Sequence, residues 1–233
     1  MNNSRYTGIV VTGADAFEFL QGQLSVDLNE LRSDSELLSA WCNPKGRVIC
    51  LMTVQAVSDG YRLILPAELA ESVVERLKIF RFRAKVEFAI EVGAERHLQM
   101  EGSLDDWLLG RLKAGIVEIG SEQSEKFTPH MLNLDRIGAV SLDKGCYTGQ
   151  EVVARTHYRG ASKRRCFRYR AASPIQSGDK VTDGNRKIGE VVNAIGTDLL
   201  AVVPVAQSDA TLYVNDVALT IVQLDANPEK AGD

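Results

Sequence analysis

The sequence comprises 233 residues, of which 45% are hydrophobic and 25% charged, with a net charge of −4. A chain of this length can bury a sizeable core, as one domain or slightly more. The negative charge argues against binding nucleic acid by bulk charge, and no apolar run approaches the ~18 residues of a membrane span. The N-terminal residues resemble neither a signal peptide nor a transit peptide. We therefore expect a cytoplasmic globular protein without membrane contacts.

The first 92 residues predict strands that alternate with two helices. Asn43-Pro44-Lys45-Gly46 is typical of a tight turn, so its flanking segments are predicted to form a hairpin. Thr12-Gly13-Ala14-Asp15 resembles an acidic capping box and predicts a helix that carries Phe17, Leu20 and Leu24. Leucine and valine repeat every four residues over 67–80, which predicts an amphipathic helix. The predicted strands are 8–12, 37–42, 47–57, 61–65 and 86–92.

The remainder of the chain predicts a helix, then a long irregular loop, and then, after Gly160, a series of short strands. Ser103-Leu104-Asp105-Asp106 predicts a capped helix that carries Trp107 and ends near Gly115. Residues 118–133 are polar and irregular, and loops of that length are often functional. After Gly160, short apolar runs and turn signals predict a small β-barrel, and the tail beyond Asp225 is expected to fray. The predicted barrel strands are 165–169, 187–194, 199–205, 212–214 and 218–224.

The four cysteines stand at positions 42, 50, 146 and 166, without a Cys-x-x-Cys pair. A cytoplasmic setting disfavours disulfides, and the spacing supplies no zinc or iron–sulfur ligand set. We therefore predict no metal ion or cluster of the protein's own.

The segment from Lys144 to Glu151 is the strongest chemical signal in the sequence. Thr148 and Glu151 have capping-box spacing, which predicts a helix to about His157 or Tyr158. Cys146 would then precede a helix N-terminus, where the helix dipole and the charge of Lys144 favour a thiolate. The alternative is that Cys146 is only a small residue in a glycine-rich turn. The residues alone leave both interpretations open.

The octapeptide Lys144-Gly145-Cys146-Tyr147-Thr148-Gly149-Gln150-Glu151 resembles, without a mismatch, the signature of the YgfZ-type folate-binding proteins, relatives of the glycine-cleavage T-protein. The similarity spans roughly residues 6–160. It includes Phe19-Leu20-Gln21-Gly22-Gln23-Leu24 in the first helix, Asn43-Pro44-Lys45-Gly46-Arg47 in the hairpin turn, and Phe127-Thr128-Pro129 in a proline loop.

The resemblance implies an α+β fold: a T-protein-like, ring-like folate-binding body with ferredoxin-like elements, a shortened middle domain and a small C-terminal β-barrel. The expected bounds are 1–160 for the body, which can comprise two interleaved subdomains, 161–225 for the barrel and 226–233 for the tail. The implied function is folate-dependent assembly, repair or maintenance of iron–sulfur proteins, including those that thiomethylate tRNA. Its expected partners are iron–sulfur client or assembly proteins, without direct nucleic-acid contact.

The resemblance also assigns the site residues. Cys146 would be the required thiol, with Lys144 beside it. Tetrahydrofolate or a derivative would contact Tyr6 and Trp107, with Gln150, Glu151 and Arg155 contributing from the helix that follows the thiol. For Trp107 the competing interpretation is a core anchor on its helix. The basic run at 163–165 is a candidate contact for an anionic group, or simply a solvated strand edge.

Three departures from the T-protein narrow the expected function. The segment between Val92 and Trp107 is short, and Cys50-Leu51 stands where the T-protein hairpin carries an essential aspartate. Lys113 replaces a glutamate, and a lysine cannot accept hydrogen bonds from a pterin. We therefore expect a factor with little or no catalytic activity. The alternatives are a folate-dependent aminomethyl transferase and a thiol-exchange protein that uses Cys146 with another cysteine.

Overall fold

The computed structural model describes residues 4–160 and 162–225. These residues form two units that interleave along the chain. The first contains the described residues up to Gln99 together with Ile119–Pro129 and Leu134–Arg155. The second contains Met100–Glu118, His130–Asn133 and the described residues from Thr156 onward. The bounds predicted from the sequence stay a prediction, and the predicted tail, 226–233, lies outside the described residues.

The first unit is built on a five-stranded antiparallel sheet with the order β2-β3-β4-β1-β5. Two helices accompany it, and their buried faces complete an apolar core with β1, β3 and β4. The predicted hairpin is confirmed, because β2 and β3 pair antiparallel around a turn in which Gly46 N–H donates to the Asn43 carbonyl at 2.8 Å. The elements are β1 (Tyr6–Thr12), α1 (Ala16–Gln21), β2 (Glu36–Cys42), β3 (Val48–Val57), β4 (Gly60–Pro66), α2 (Ala67–Phe80) and β5 (Glu87–Val92).

The acidic capping box predicted for α1 is wrong. Asp15 is the N-cap residue but makes no side-chain cap bond, and Thr12 lies at the end of β1. The Asp15 carboxylate instead accepts from the Lys85 backbone N–H at 2.7 Å. Because the helix ends at Gln21, Leu24 lies beyond it and joins the core from the following segment. A tertiary partner for Asp15 therefore replaces the local cap that its spacing suggested.

The second unit contains a helix and a closed β-barrel. The predicted cap of α3 (Leu104–Lys113) is confirmed, since Ser103 and Asp106 exchange both bonds of a capping box. The predicted barrel is also confirmed, with strand order β10-β11-β6-β9-β8-β7. β7 was missed because only one of its three residues, Val181, is apolar, which is too weak a strand pattern. The strands are β6 (Arg164–Ala171), β7 (Lys180–Thr182), β8 (Lys187–Ile195), β9 (Asp198–Pro204), β10 (Leu212–Val214) and β11 (Val217–Val222).

One further helix, α4 (Gln150–Arg159), follows the octapeptide. Among the described residues, no helix has the length and apolar character needed to cross a membrane.

Candidate functional site at the Cys146 junction

The junction, residues 144–149, lies in the first unit just before α4. It is held against the turn between β2 and β3 by two glycines in the left-handed region. Gly149 has φ +85°, and a Cβ there would lie 2.6 Å from the Asn43 carbonyl oxygen. Gly46 has φ +67°, and a Cβ there would lie 2.8 Å from the Val152 Cβ. Both positions therefore require glycine, and the two backbones approach more closely than side chains would allow.

Lys144 fastens the beginning of the junction. Its side chain is 7% exposed, and its ammonium donates to the carbonyl oxygens of Gln21 at 2.8 Å, Leu24 at 2.8 Å and Val26 at 2.7 Å. Burial lowers the pKa of Lys144 to about 8. All three ammonium donors thus bind backbone carbonyls, one at the last residue of α1 and two in the segment that follows it. These contacts make Lys144 an anchor of the loop, and its role beside the thiol stays a prediction.

Cys146 is exposed, whereas Cys42, Cys50 and Cys166 are buried. Gly145 precedes it without a positive φ, and a Cβ at that position would have no neighbouring atom within 4 Å. Tyr147 follows it and is only 6% exposed. The thiol therefore stands on a short exposed segment between two buried side chains, Lys144 and Tyr147.

The start of α4 is organised by Gln150 and not by the predicted pair of Thr148 and Glu151. The helix begins at Gln150, whose Oε1 accepts from the Tyr147 N–H at 3.2 Å while its own N–H donates to the Tyr147 carbonyl at 3.1 Å. The Thr148 hydroxyl donates to Gln23 Oε1 at 3.2 Å. The capping-box prediction is thus wrong in its residues, although a helix does start here.

Glu151 and Arg155 form an i,i+4 ion pair on α4, with Arg155 Nη2 donating to Glu151 Oε1 at 2.5 Å. Their side chains are 85% and 58% exposed, so the pair contributes little to stability. A role for Gln150, Glu151 or Arg155 in folate binding stays a prediction.

The position of the T-protein aspartate holds a buried, uncharged thiol. Cys50 is 0% exposed on β3 and pairs with Trp41 on β2. Burial raises the pKa of the Cys50 thiol, and it raises the pKa of Cys42 and of Cys166 to about 12. Neither Cys50 nor the buried Leu51 can supply a carboxylate to a bound folate.

The two aromatic residues assigned to folate have different surroundings. Tyr6, at the start of β1, is 5% exposed, so its ring does not offer an open face for stacking. Trp107 lies on α3 and is half-buried, with the Arg111 guanidinium 4.6 Å from the ring centroid. A role for Tyr6 or Trp107 in folate binding stays a prediction. In the second unit, the basic run at 163–165 is partly engaged, since Arg164 donates to the Ile188 carbonyl at 2.5 Å.

Sequence reasoning missed the residues that hold the junction in place. Gln23 accepts from both the Thr148 hydroxyl and the Trp41 indole N–H, the latter at 3.3 Å. The acceptors of Lys144 are backbone carbonyls of Gln21, Leu24 and Val26, which no residue type reveals. The only available signal was that 19–24 and 144–151 both resembled motifs of one family.

Comparison with known structures defines the class of fold. The glycine cleavage system aminomethyltransferase T from Bartonella henselae matches with a TM-score of 0.73, over 95% of this chain and 84% of that one. At 18% identity this likeness establishes the fold alone. The predicted fold class, a T-protein-like α+β body with a small C-terminal barrel, is confirmed.

Sequence relatives define the particular family resemblance. A tRNA-modifying protein YgfZ from Escherichia coli O7:K1 is 28% identical, over 82% of this chain and 77% of that protein. An uncharacterised protein from Haemophilus influenzae is 29% identical, over 84% of both chains. A search of protein-family models gives no match. The resemblance to YgfZ-type proteins that the octapeptide indicated is confirmed.

Proposed function

We propose that this protein is a folate-binding accessory factor in the assembly, repair or maintenance of iron–sulfur proteins, including tRNA-thiomethylating enzymes, and that it acts through Cys146. The T-protein fold and the relatives named as tRNA-modifying support a YgfZ-like role. The single observation that carries the assignment to Cys146 is its exposure on a fixed loop, while the other three thiols are buried.

The position at which the T-protein hairpin carries its aspartate offers no carboxylate here. General acid–base catalysis needs a titratable group within reach of the reacting atom. At the hairpin position that would supply it, Cys50 is buried and its raised pKa keeps the thiol neutral. We therefore favour a role in which Cys146 meets a client protein, and assign tetrahydrofolate as a ligand that contacts Trp107.

Two alternatives make different demands. An aminomethyl transferase would require folate-dependent turnover in a glycine-cleavage assay, and we expect none from the purified protein. A thiol-exchange cycle would require a resolving cysteine, but Cys42, Cys50 and Cys166 are buried, with pKa values raised by burial. Such thiols are poor nucleophiles near neutral pH, because the thiolate is the reactive form.

The decisive experiment is complementation of a bacterial strain that lacks its own YgfZ-type protein. The activity of an iron–sulfur tRNA-thiomethylating enzyme is measured after expression of wild type, Cys146→Ala or Gly145→Ala. Gly145→Ala is a matched control, because it changes the neighbouring residue where an added Cβ meets open space. We expect wild type and Gly145→Ala to restore activity and Cys146→Ala to fail at equal protein levels. Full recovery with Cys146→Ala would refute the thiol assignment.

The folate assignment is tested separately by calorimetric titration with tetrahydrofolate. Trp107→Phe retains a flat ring and should bind. Trp107→Ala should bind about two- to tenfold more weakly from the loss of stacking alone, since an aromatic pair contributes ~0.5–1.5 kcal/mol beyond area burial. Equal affinities for these two variants would contradict a stacking role for Trp107.

A further inference from the structure

A basic segment comprises the last turn of α2 and the loop that follows it, and we call it the basic loop. Residues 76–86 contain five cationic side chains and no carboxylate, in a protein whose net charge is −4. The segment joins the last turn of α2 to the strand β5 within the first unit. Its cations are Arg76, Lys78, Arg81, Arg83 and Lys85.

The loop is rigidly seated and projects an aromatic ring into solvent. Val86 is 2% exposed, and Phe80 packs edge-on against Trp41 with ring centroids 6.4 Å apart. Between these anchors, Phe82 is 86% exposed and has φ +45°. A left-handed conformation is costly for a bulky residue and persists where the surrounding structure imposes it, often at functional sites. Here it directs an exposed phenyl ring away from a well-anchored turn.

The cations around this ring are available to a ligand. Arg76 pairs with Glu125 at 3.0 Å, and Arg81 donates to the Val86 carbonyl at 3.3 Å. Lys78, Arg83 and Lys85 are exposed, and within residues 4–160 and 162–225 no carboxylate lies at ion-pair distance from them. The nearby Asp15 carboxylate is engaged by a backbone N–H. These three cations flank Phe82 along the chain, and an anion can bind them without displacing an internal ion pair.

We infer that this basic loop binds single-stranded RNA, with a base stacked on Phe82 and phosphates held by Arg83, Lys78 and Lys85. An exposed aromatic flanked by cations is the arrangement by which proteins hold unpaired nucleotides without reading their sequence. A protein partner is less well matched, because charged residues are depleted from the cores of protein interfaces, and the segment exposes two large hydrophobic side chains, Phe82 and Ile79, among its cations. This inference departs from the sequence expectation of no direct nucleic-acid contact. The choice of RNA over DNA rests on the proposed function, which associates this protein with tRNA-modifying enzymes.

Direct binding by the purified full-length chain tests the inference. Fluorescence anisotropy is measured with a labelled single-stranded RNA of about 12 nucleotides, within the ~4–16 nucleotides that single-strand binders cover. Phe82→Asn removes the ring but suits the left-handed backbone, so the fold is retained. We expect Phe82→Asn to raise Kd about tenfold and Phe82→Tyr to remain within about twofold of wild type, because stacking needs only a flat ring. Arg83→Ala should raise Kd and reduce the salt dependence by about 0.7 in the logarithmic slope, the value for one phosphate contact on a single strand.

Two controls separate RNA binding at the loop from a general effect of charge and from apolar docking. Lys180→Ala removes an exposed cation from β7 in the barrel, and Ile79→Ala removes the other exposed apolar side chain of the loop, so neither should change Kd. Equal Kd values for wild type and Phe82→Asn would overturn the inference. It would also be overturned if Ile79→Ala raised Kd as much as Phe82→Asn, because that result would indicate an apolar protein-docking surface. Equal affinity for DNA of the same sequence would overturn the assignment to RNA. None of these results bears on the Cys146 complementation, so the two proposals can fail independently.

Discussion

Replacing Gly149 with alanine should destabilise the first unit far more than the same replacement at Gly145, four residues earlier. At Gly149 the left-handed φ of +85° costs an alanine about 1–2 kcal/mol. The added Cβ would lie 2.6 Å from the Asn43 carbonyl oxygen and 3.1 Å from the Cys42 Cβ. Because the nearest atom is backbone, the overlap requires a shift of the turn or of α4, at about 1–3 kcal/mol. The expected loss is therefore about 2–5 kcal/mol of the free energy of unfolding.

Gly145→Ala should be neutral, or stabilise the protein by up to about 1 kcal/mol, because its Cβ meets open space and the change reduces the entropy of the unfolded chain. The measurement is urea unfolding followed by tryptophan fluorescence in a Trp107→Phe background. The protein has two tryptophans, so the remaining emission comes from Trp41, which is fully buried in the first unit. A Gly149→Ala midpoint indistinguishable from wild type would refute the close approach of the junction to the hairpin turn. So would an equal loss in both variants.

Two further predictions concern residues that contact the junction or its supporting turn. Tyr147→Phe should leave the free energy of unfolding unchanged or raise it by about 1 kcal/mol, because the buried hydroxyl has no hydrogen-bond partner among the described residues. A loss above about 1 kcal/mol in urea unfolding would contradict this expectation. Glu125 accepts from Arg76 and Asn43, and these bonds lower the pKa of its carboxyl from the usual range in the folded state. Since the pKa of Glu125 is lower in the folded state, the carboxylate stabilises the fold at pH values above its pKa in the unfolded chain. This stabilisation is lost as the pH falls through the pKa of the folded state. Glu125→Gln should therefore be less stable than wild type at pH 7, by less than about 1 kcal/mol at this exposed site, and equally stable in strong acid; a difference that persists at low pH would argue against the ion pair.

The sequence predicted features that depend on local spacing. The capping box of α3 needs only Ser103 and Asp106, three residues apart, and both of its bonds are present. The same spacing at Thr148 and Glu151 gave a wrong prediction of a capping box, because Gln23 accepts a hydrogen bond from the Thr148 hydroxyl. A tertiary acceptor 125 residues away in sequence thus competes with a local one.

Lys144 shows the same limit more sharply. Its position two residues before Cys146 does not determine which groups its long side chain contacts. The acceptors of its ammonium belong to residues 118 to 123 positions earlier and are backbone oxygens. Only the family resemblance connected the two segments, since both matched motifs of the same proteins.

The position of Lys144 bears on how an exposed thiol is presented without a helix cap to hold it. A buried ammonium is unfavourable unless its donors are satisfied, and three carbonyl acceptors within 2.8 Å satisfy them. Replacing any of these contacts with solvent would free the chain before Cys146, whereas Tyr147 and Gln150 fix the chain after it. The contacts of the buried ammonium thereby fix the position of the Cys146 thiol, although the thiol itself is exposed. A thiol held in this way can bind a partner protein without the entropy loss of ordering a flexible loop. For this reason we assign the function to Cys146 and not to the three buried cysteines.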